Sequence, residues 1–236
     1  MDAYRLRLAV LVLAAGAGSR FSDAPGAKLL AEIDGEPMLT RVLRSVRAFG
    51  PTATVVVLGS GADAVEQAID WQDEIRVRNH APERGLSSSL HVGIDMLRAL
   101  PFDIDGVFIV LGDQPLLDAA VMGSLAVAAA GGGAVEWPSE RSSERPGEPL
   151  GERLTERPLI VPRYTEQPGP RNPVLLLRAG WHLLDGLSGD HGLSQLMSEQ
   201  PQLVLDVSVP GRMPDVDKPE DLSTVRDART RRPSGT

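Results

Sequence analysis

Residues 8–28 read LAVLVLAAGAGSRFSDAPGAK. Leu8–Leu13 is an unbroken apolar run, and such a run without polar alternation suits a parallel strand covered on both faces. Small residues follow at once, with Gly16 and Gly18 among them, and then two cations, Arg20 and Lys28. A Gly-rich loop after a buried strand can turn backbone N–H groups toward phosphate oxygens. Arg20 would add a planar fork and Lys28 a point charge. The same residues equally describe a plain strand-to-helix turn with two solvated cations, and the segment alone does not choose. The dinucleotide fingerprint G-x-G-x-x-G matches poorly, because Phe21 stands at its last position. A P-loop fails because Lys28 lies between Ala27 and Leu29, with no Gly before it and no Ser or Thr after.

Strand and helix patterns alternate outward from this segment. Pro37–Phe49 has helical spacing of Leu39, Val42, Leu43 and Val46, stopped by Gly50-Pro51. Thr54–Leu58 predicts a strand, Ala62–Ile69 a short helix and Ile75–Arg78 a third strand. Ser87–Leu100 predicts a helix with a serine available to cap it. Gly106–Leu111 (GVFIVL) predicts another fully buried strand, and Leu116–Ala130 the next helix. The alternation implies an α/β fold, a mostly parallel sheet with helices on both faces. Ligands of such sheets bind at the carboxyl ends of the strands. The loop after Leu13 and the Gly112-Asp113 turn after Leu111 therefore share the functional edge.

Glu136–Leu159 breaks the pattern. It repeats every four residues, with Glu136, Glu140, Glu144, Glu148, Glu152 and Glu156 in register, and Pro138, Pro146, Pro149 and Pro158 prevent a helix. It reads as a low-complexity insertion, 136–159, in a single domain of 1–226 followed by a flexible tail, 227–236. Between these, Leu159–Val161, Val174–Leu177 and Leu203–Val207 predict strands. Gly180–Leu187 and Leu193–Met197 predict helices, and a last helix starts at Pro219.

Composition narrows the classes. The 236 residues carry 24 Lys and Arg against 32 Asp and Glu, a net charge of −8. That argues against a general nucleic-acid binder, which would show a basic stripe. There is no cysteine, which excludes a disulfide scaffold, a thiolate metal site and a cysteine nucleophile together. No apolar run approaches the ~18 residues of a membrane span, and the expectation is a soluble cytoplasmic protein. The 24 glycines and 19 prolines exceed their usual combined share of ~12% and belong in loops.

Two carboxylate motifs remain. Asp113, in VLGDQP, follows a buried strand directly. It is either an oxygen ligand for Mg²⁺, which shares its coordination with substrate phosphates, or a turn cap before Pro115. Asp215 and Asp217, in PDVDKPEDL, either complete a metal site or merely begin the last helix. His80, His91, His182 and His191 read as solvated or structural.

Taken in order, LAAGAGSRF, Lys28, GLSSSLHVGI, GDQP, NPVLLLR, GDHG and DVDKPEDL resemble the MobA/MocA-type nucleotidyltransferases. The closer likeness is to the molybdenum cofactor cytidylyltransferases. The resemblance runs from Leu13 to Leu222 and implies a Rossmann-like nucleotidyltransferase fold. By that likeness, Leu13, Ala14, Ala15 and Gly16 line the base and ribose site, with Gly18 in the nucleotide loop. Arg20 and Lys28 hold the triphosphate, Ser87, Ser88 and Ser89 contact the base, and Asp113 and Asp217 bind Mg²⁺. Asn172-Pro173 and Gly189-Asp190 face the second substrate.

The likeness further implies transfer of CMP from CTP to molybdopterin, with a molybdoenzyme or its chaperone as a further partner. The Leu-Ala-Ala-Gly loop and the GLSSSL segment favour cytidine over guanosine. One motif departs from the family: Pro170-Arg171-Asn172-Pro173 stands where Arg-Gly-Asn-Pro is usual, on the acceptor side. Other outcomes are guanylyl transfer to molybdopterin, a sugar or alcohol phosphate as acceptor, or an NAD(P)-dependent oxidoreductase on the same fold.

Overall fold

A computed structural model describes residues 6–16, 18, 21, 24–131, 156–166, 171–190, 192–213, 216 and 218–221. The run Leu8–Leu13 forms the centre of the fold, as strand β1, Leu8–Ala14, buried at every position. It pairs in parallel with β4, Ala53–Leu58, on one side and β6, Gly106–Leu111, on the other. Leu11 faces Val55 across one ladder and Ile109 across the other. A short hairpin, β2 (Glu32–Ile33) and β3 (Glu36–Pro37), stands apart from the main sheet. With β5 (Ile75–Arg78), β7 (Leu159–Tyr164), β8 (Val174–Leu177) and β9 (Val204–Val209), the main sheet has, among the described residues, seven strands in the order β5-β4-β1-β6-β8-β7-β9.

Alternation along β1 sends its side chains to two separate cores. Val10 and Val12 join the cluster under α2 (Met38–Phe49) and α5 (Ala119–Ala129), which contribute Leu39, Val42, Met122 and Leu125. Leu11 and Leu13 join the opposite cluster under α4 (Leu86–Arg98), with Leu90, Ile94 and Leu97. The sheet is thus covered on both faces, which is why its central strands carry no polar alternation. Gly93 lets α4 lie close on β1, because a Cβ there would stand 2.2 Å from Leu11 Cδ1.

Several boundaries differ from the sequence expectation. The helix expected from Leu116 starts at Ala119, because the Asp118 carboxylate caps it by accepting from Ala120 N at 2.8 Å. Gly180–Leu187 is a run of 3₁₀ turns, Arg178–Gly186, packed through Trp181 and Leu184. Strand β8 runs antiparallel to both β6 and β7; a continuous apolar run such as VLLL does not encode its direction. The short helix α1, Ala27–Leu30, the hairpin and α3 (Ala62–Ala68) complete the first half; the hairpin and α1 leave no periodic signal because they are too short to repeat. Helix α6, Leu193–Glu199, closes the second half before β9.

The proposed insertion ends earlier than its repeat does. Leu159 is the first residue of β7 and fully buried, and Pro158 O accepts from Leu177 N at 2.9 Å. The rest of the repeat up to residue 155, the tail and the continuation of the last helix beyond Asp221 lie outside the described residues. Among the described residues, no helix is long and apolar enough to cross a membrane.

Candidate active site at the carboxyl edge

The carboxyl ends of β1 and β6 lie side by side, held by Gly112 N donating to Leu13 O at 2.9 Å. A cavity of about 570 Å³ opens there, a size typical of small-molecule sites. Its floor is the end of β1 and the turn after it, Leu13, Ala14, Ala15 and Gly16, with Gly18 and Gly26 beyond. One wall carries Lys28 and Leu29 from α1 and Leu111 and Asp113 from β6 and its turn. The facing wall is Pro82, Glu83, Gly85, Leu86 and Ser89, at the start of α4, with Asp190 beside it.

The charged wall is tied by one contact: Lys28 Nζ lies 2.6 Å from Asp113 Oδ2. The two side chains are 12% and 32% exposed, so the pair is sheltered but opens toward the cavity. A charge-assisted contact of this length in partial shelter is stronger than an exposed ion pair.

The facing wall is held by neutral hydrogen bonds. Asn79, buried just past the end of β5, donates through Nδ2 to Ser88 Oγ at 2.8 Å and Ser89 Oγ at 3.0 Å. Its Oδ1 accepts from Ala81 N at 2.9 Å. Ser88 Oγ in turn donates to Gly85 O at 2.8 Å. Ser87 donates twice to Gly189 O, from Oγ at 2.8 Å and from the backbone at 3.1 Å. Gly85, at φ 90°, makes this approach possible, because a Cβ there would stand 2.3 Å from the Gly189 carbonyl carbon.

The fold thus gathers Leu13, Ala14, Ala15, Gly16, Gly18, Lys28, Ser89, Asp113 and Asp190 around one cavity. Ser87 and Ser88 do not line it; their hydroxyls are bonded to Gly189, Gly85 and Ala81. No serine side chain caps α4, whose cap position is Gly85. Asn172 precedes β8 at the same edge of the sheet, where Val174 pairs with Ile109, and its carbonyl accepts from Tyr164 Oη at 2.8 Å. Arg20, Asp215, Asp217 and His191 lie outside the described residues. Of the other histidines, His80 and His182 are exposed, and a ring nitrogen of His91 lies 2.9 Å from Leu184 O.

Sequence reasoning missed Asn79, Pro82, Glu83 and Leu86. For Asn79 the signal was available, since a polar residue directly after a strand stands at the carboxyl edge by the rule that singled out Asp113.

With this geometry in place, likeness to known proteins becomes specific. Residues 10–204 match the MobA-like NTP transferase domain family. The chain belongs to that family. Nucleotidyl transfer is the chemistry that goes with it, and the match favours that chemistry over hydride transfer. Among curated proteins, the bifunctional protein GlmU of Chromobacterium violaceum is 40% identical over 130 residues, 54% of this chain and 27% of that protein. The chain spans about a quarter of the length of that relative.

Among solved structures, Rv0371c from Mycobacterium tuberculosis superposes with a TM-score of 0.71 at 23% identity, covering 94% of this chain and 99% of that one. A manganese complex of the same protein superposes at 0.67, with 23% identity over 94% and 98% of the two chains. A nucleotidyl transferase from Methanothermobacter gives 0.65 at 22% identity, over 95% and 98%. At these identities the structures show a shared fold.

Proposed function

We propose that the cavity binds a nucleoside triphosphate, CTP in preference to GTP, and that the chain transfers CMP to the terminal phosphate of molybdopterin. The observation that carries this reading is the meeting of Lys28 and Asp113 at the mouth of β1 and β6. In it a phosphate-seeking cation and a metal-seeking carboxylate share one wall. Asp113 fits a magnesium ion, because Mg²⁺ takes one or two carboxylates and fills its remaining positions with phosphate oxygens and water. Asp217 is proposed as the second carboxylate. When bound, the ion neutralises triphosphate charge as pyrophosphate departs.

The rest of the work falls to the chain's own groups. Leu13, Ala15, Pro82 and Leu86 offer apolar surface to the base and ribose. Ser89, which lines the cavity, stands beside the base, and Lys28 and Arg20 meet the phosphates. An oxygen of the acceptor phosphate attacks the α-phosphorus in line; the new P–O bond forms as the α–β bridge breaks, and pyrophosphate leaves with the electron pair. Little covalent chemistry falls to the protein, so its contribution is position and charge. Asn172, Gly189 and Asp190 would receive the acceptor. The product would pass in the cytoplasm to a molybdoenzyme or its chaperone.

The test is incubation with each of the four NTPs, Mg²⁺ and molybdopterin, followed by pyrophosphate release and product mass. CTP should exceed GTP in kcat/KM by on the order of a hundredfold, because a wrong base leaves buried polar groups unpaired at ~1–3 kcal/mol each. Equal use of CTP and GTP refutes the cytidine assignment. Turnover only with sugar or alcohol phosphates refutes the acceptor.

A further inference from the structure

Asp113 already has a cation on it. The Lys28 ammonium stands 2.6 Å from Asp113 Oδ2. A magnesium ion needs a carboxylate oxygen at about 2.0–2.1 Å. If both cations used Oδ2, their centres would lie within roughly 5 Å, in a cleft where salt screens poorly. A metal approaching the other oxygen would still meet a carboxylate whose charge Lys28 has neutralised. The Lys28 side chain starts beside Gly18, where a Cβ on that glycine would stand 3.1 Å from Lys28 Cβ. Lys28, Asp113 and the loop at Gly16 and Gly18 all line the same cavity.

We propose that Lys28 and the divalent cation are alternative partners of Asp113. In the ligand-free protein Lys28 holds the carboxylate and keeps the metal site shut. The triphosphate, a stronger anion than one carboxylate, draws the ammonium onto its own oxygens and releases Asp113. Metal and nucleotide therefore enter together, and the metal alone binds poorly. The swap also keeps an isolated carboxylate from standing uncompensated in a sheltered cleft between turnovers. It rests on the reading of this cavity as a nucleotide site with Asp113 as its metal ligand.

The experiment is Mn²⁺ binding to the full chain by electron paramagnetic resonance, with and without CTP, for the wild type, Lys28→Met, Lys28→Arg, Asp113→Asn and Lys28→Met/Asp113→Asn. Without nucleotide, Lys28→Met should bind Mn²⁺ at least tenfold more tightly than the wild type. Lys28→Arg, which keeps the charge, should not, and the double variant should lose the gain. Lys28→Gln replaces the Met variant if that one does not fold. If the uncharged variants gain nothing while Asp113→Asn still weakens Mn²⁺ binding in the presence of CTP, the swap is wrong and the metal site stands. If Asp113→Asn leaves that binding unchanged, the metal site and the swap both fall.

Discussion

Lys28–Asp113 and Arg47–Glu74 are chemically the same contact, a cation on a carboxylate at 2.6 and 2.7 Å. They sit at opposite edges of one sheet. Lys28 and Asp113 follow the carboxyl ends of β1 and β6 and face a cavity. Glu74 precedes β5 and meets the last turn of α2. There Arg47 also reaches Asp70 O at 2.9 Å, and Gln72 N donates to the second Glu74 oxygen at 2.7 Å. The Glu74 side chain is 3% exposed against 32% for Asp113. Length and charge do not separate the pair proposed to be functional from the structural one. The edge of the sheet and the presence of open space beside the pair do.

The sharpest way to break this contrast is Asp113→Asn. The fold should survive, with unfolding free energy within about 1 kcal/mol of the wild type, because the pair is only partly sheltered. Nucleotidyl transfer should fall by on the order of a hundredfold or more, comparable to loss of a key transition-state contact. Near-normal turnover at saturating Mg²⁺ would make Asp113 a turn residue and the two pairs equivalent.

The next effect lies on the neutral wall. Asn79→Ala removes the donor to Ser88 and Ser89 and the acceptor of Ala81 N. We expect a loss of about 2–3 kcal/mol in urea unfolding, since buried groups are left unpaired, together with weaker nucleotide binding. Unchanged stability would show that water takes over these bonds.

Glu74→Gln should do the reverse of Asp113→Asn. It should cost about 1–2 kcal/mol of stability and leave kcat/KM within about twofold. Burial is the largest single influence on the Glu74 carboxyl and pushes its pKa up. The hydrogen bonds from Arg47 and the backbone of Gln72 and Glu74, with the Arg47 charge, outweigh it and hold the pKa below the ordinary value. Glu74 therefore protonates in the unfolded chain before it does in the folded one. Its contribution is fully present above the usual carboxylate value of ~4.3 and is lost as pH falls through the lower folded value. The stability difference between wild type and Glu74→Gln should shrink across that acid range in urea titrations; a difference that persists to low pH would mean that packing, not charge, sets it.

Ser87→Ala should give the smallest change, below about 1 kcal/mol, because the backbone bond to Gly189 O remains. Faster amide exchange around Gly189 and Asp190 is the expected signature; unchanged exchange there would show that the Gly85 approach alone positions the loop.

Much of this molecule was legible before folding. The run Leu8–Leu13 required a strand buried on both faces, and the matching run Gly106–Leu111 supplied its neighbour. The strand-end rule then placed Gly16, Gly18 and Asp113 at one edge, since chain direction fixes which end of a parallel strand faces the ligand. What only the tertiary structure decided is which groups meet there. Asp113 is paired with Lys28, 85 positions away in the chain, and sequence carries no signal for a contact of that kind. Ser87 and Ser89 sit two residues apart on one helix, and local pattern treats them alike. Yet the Ser87 hydroxyl bonds to Gly189 while the Ser89 hydroxyl accepts from Asn79 and Ser89 lines the cavity, because helical rotation points them at different neighbours. The direction of β8 was likewise settled by its partners β6 and β7, since an apolar run buries equally well either way round.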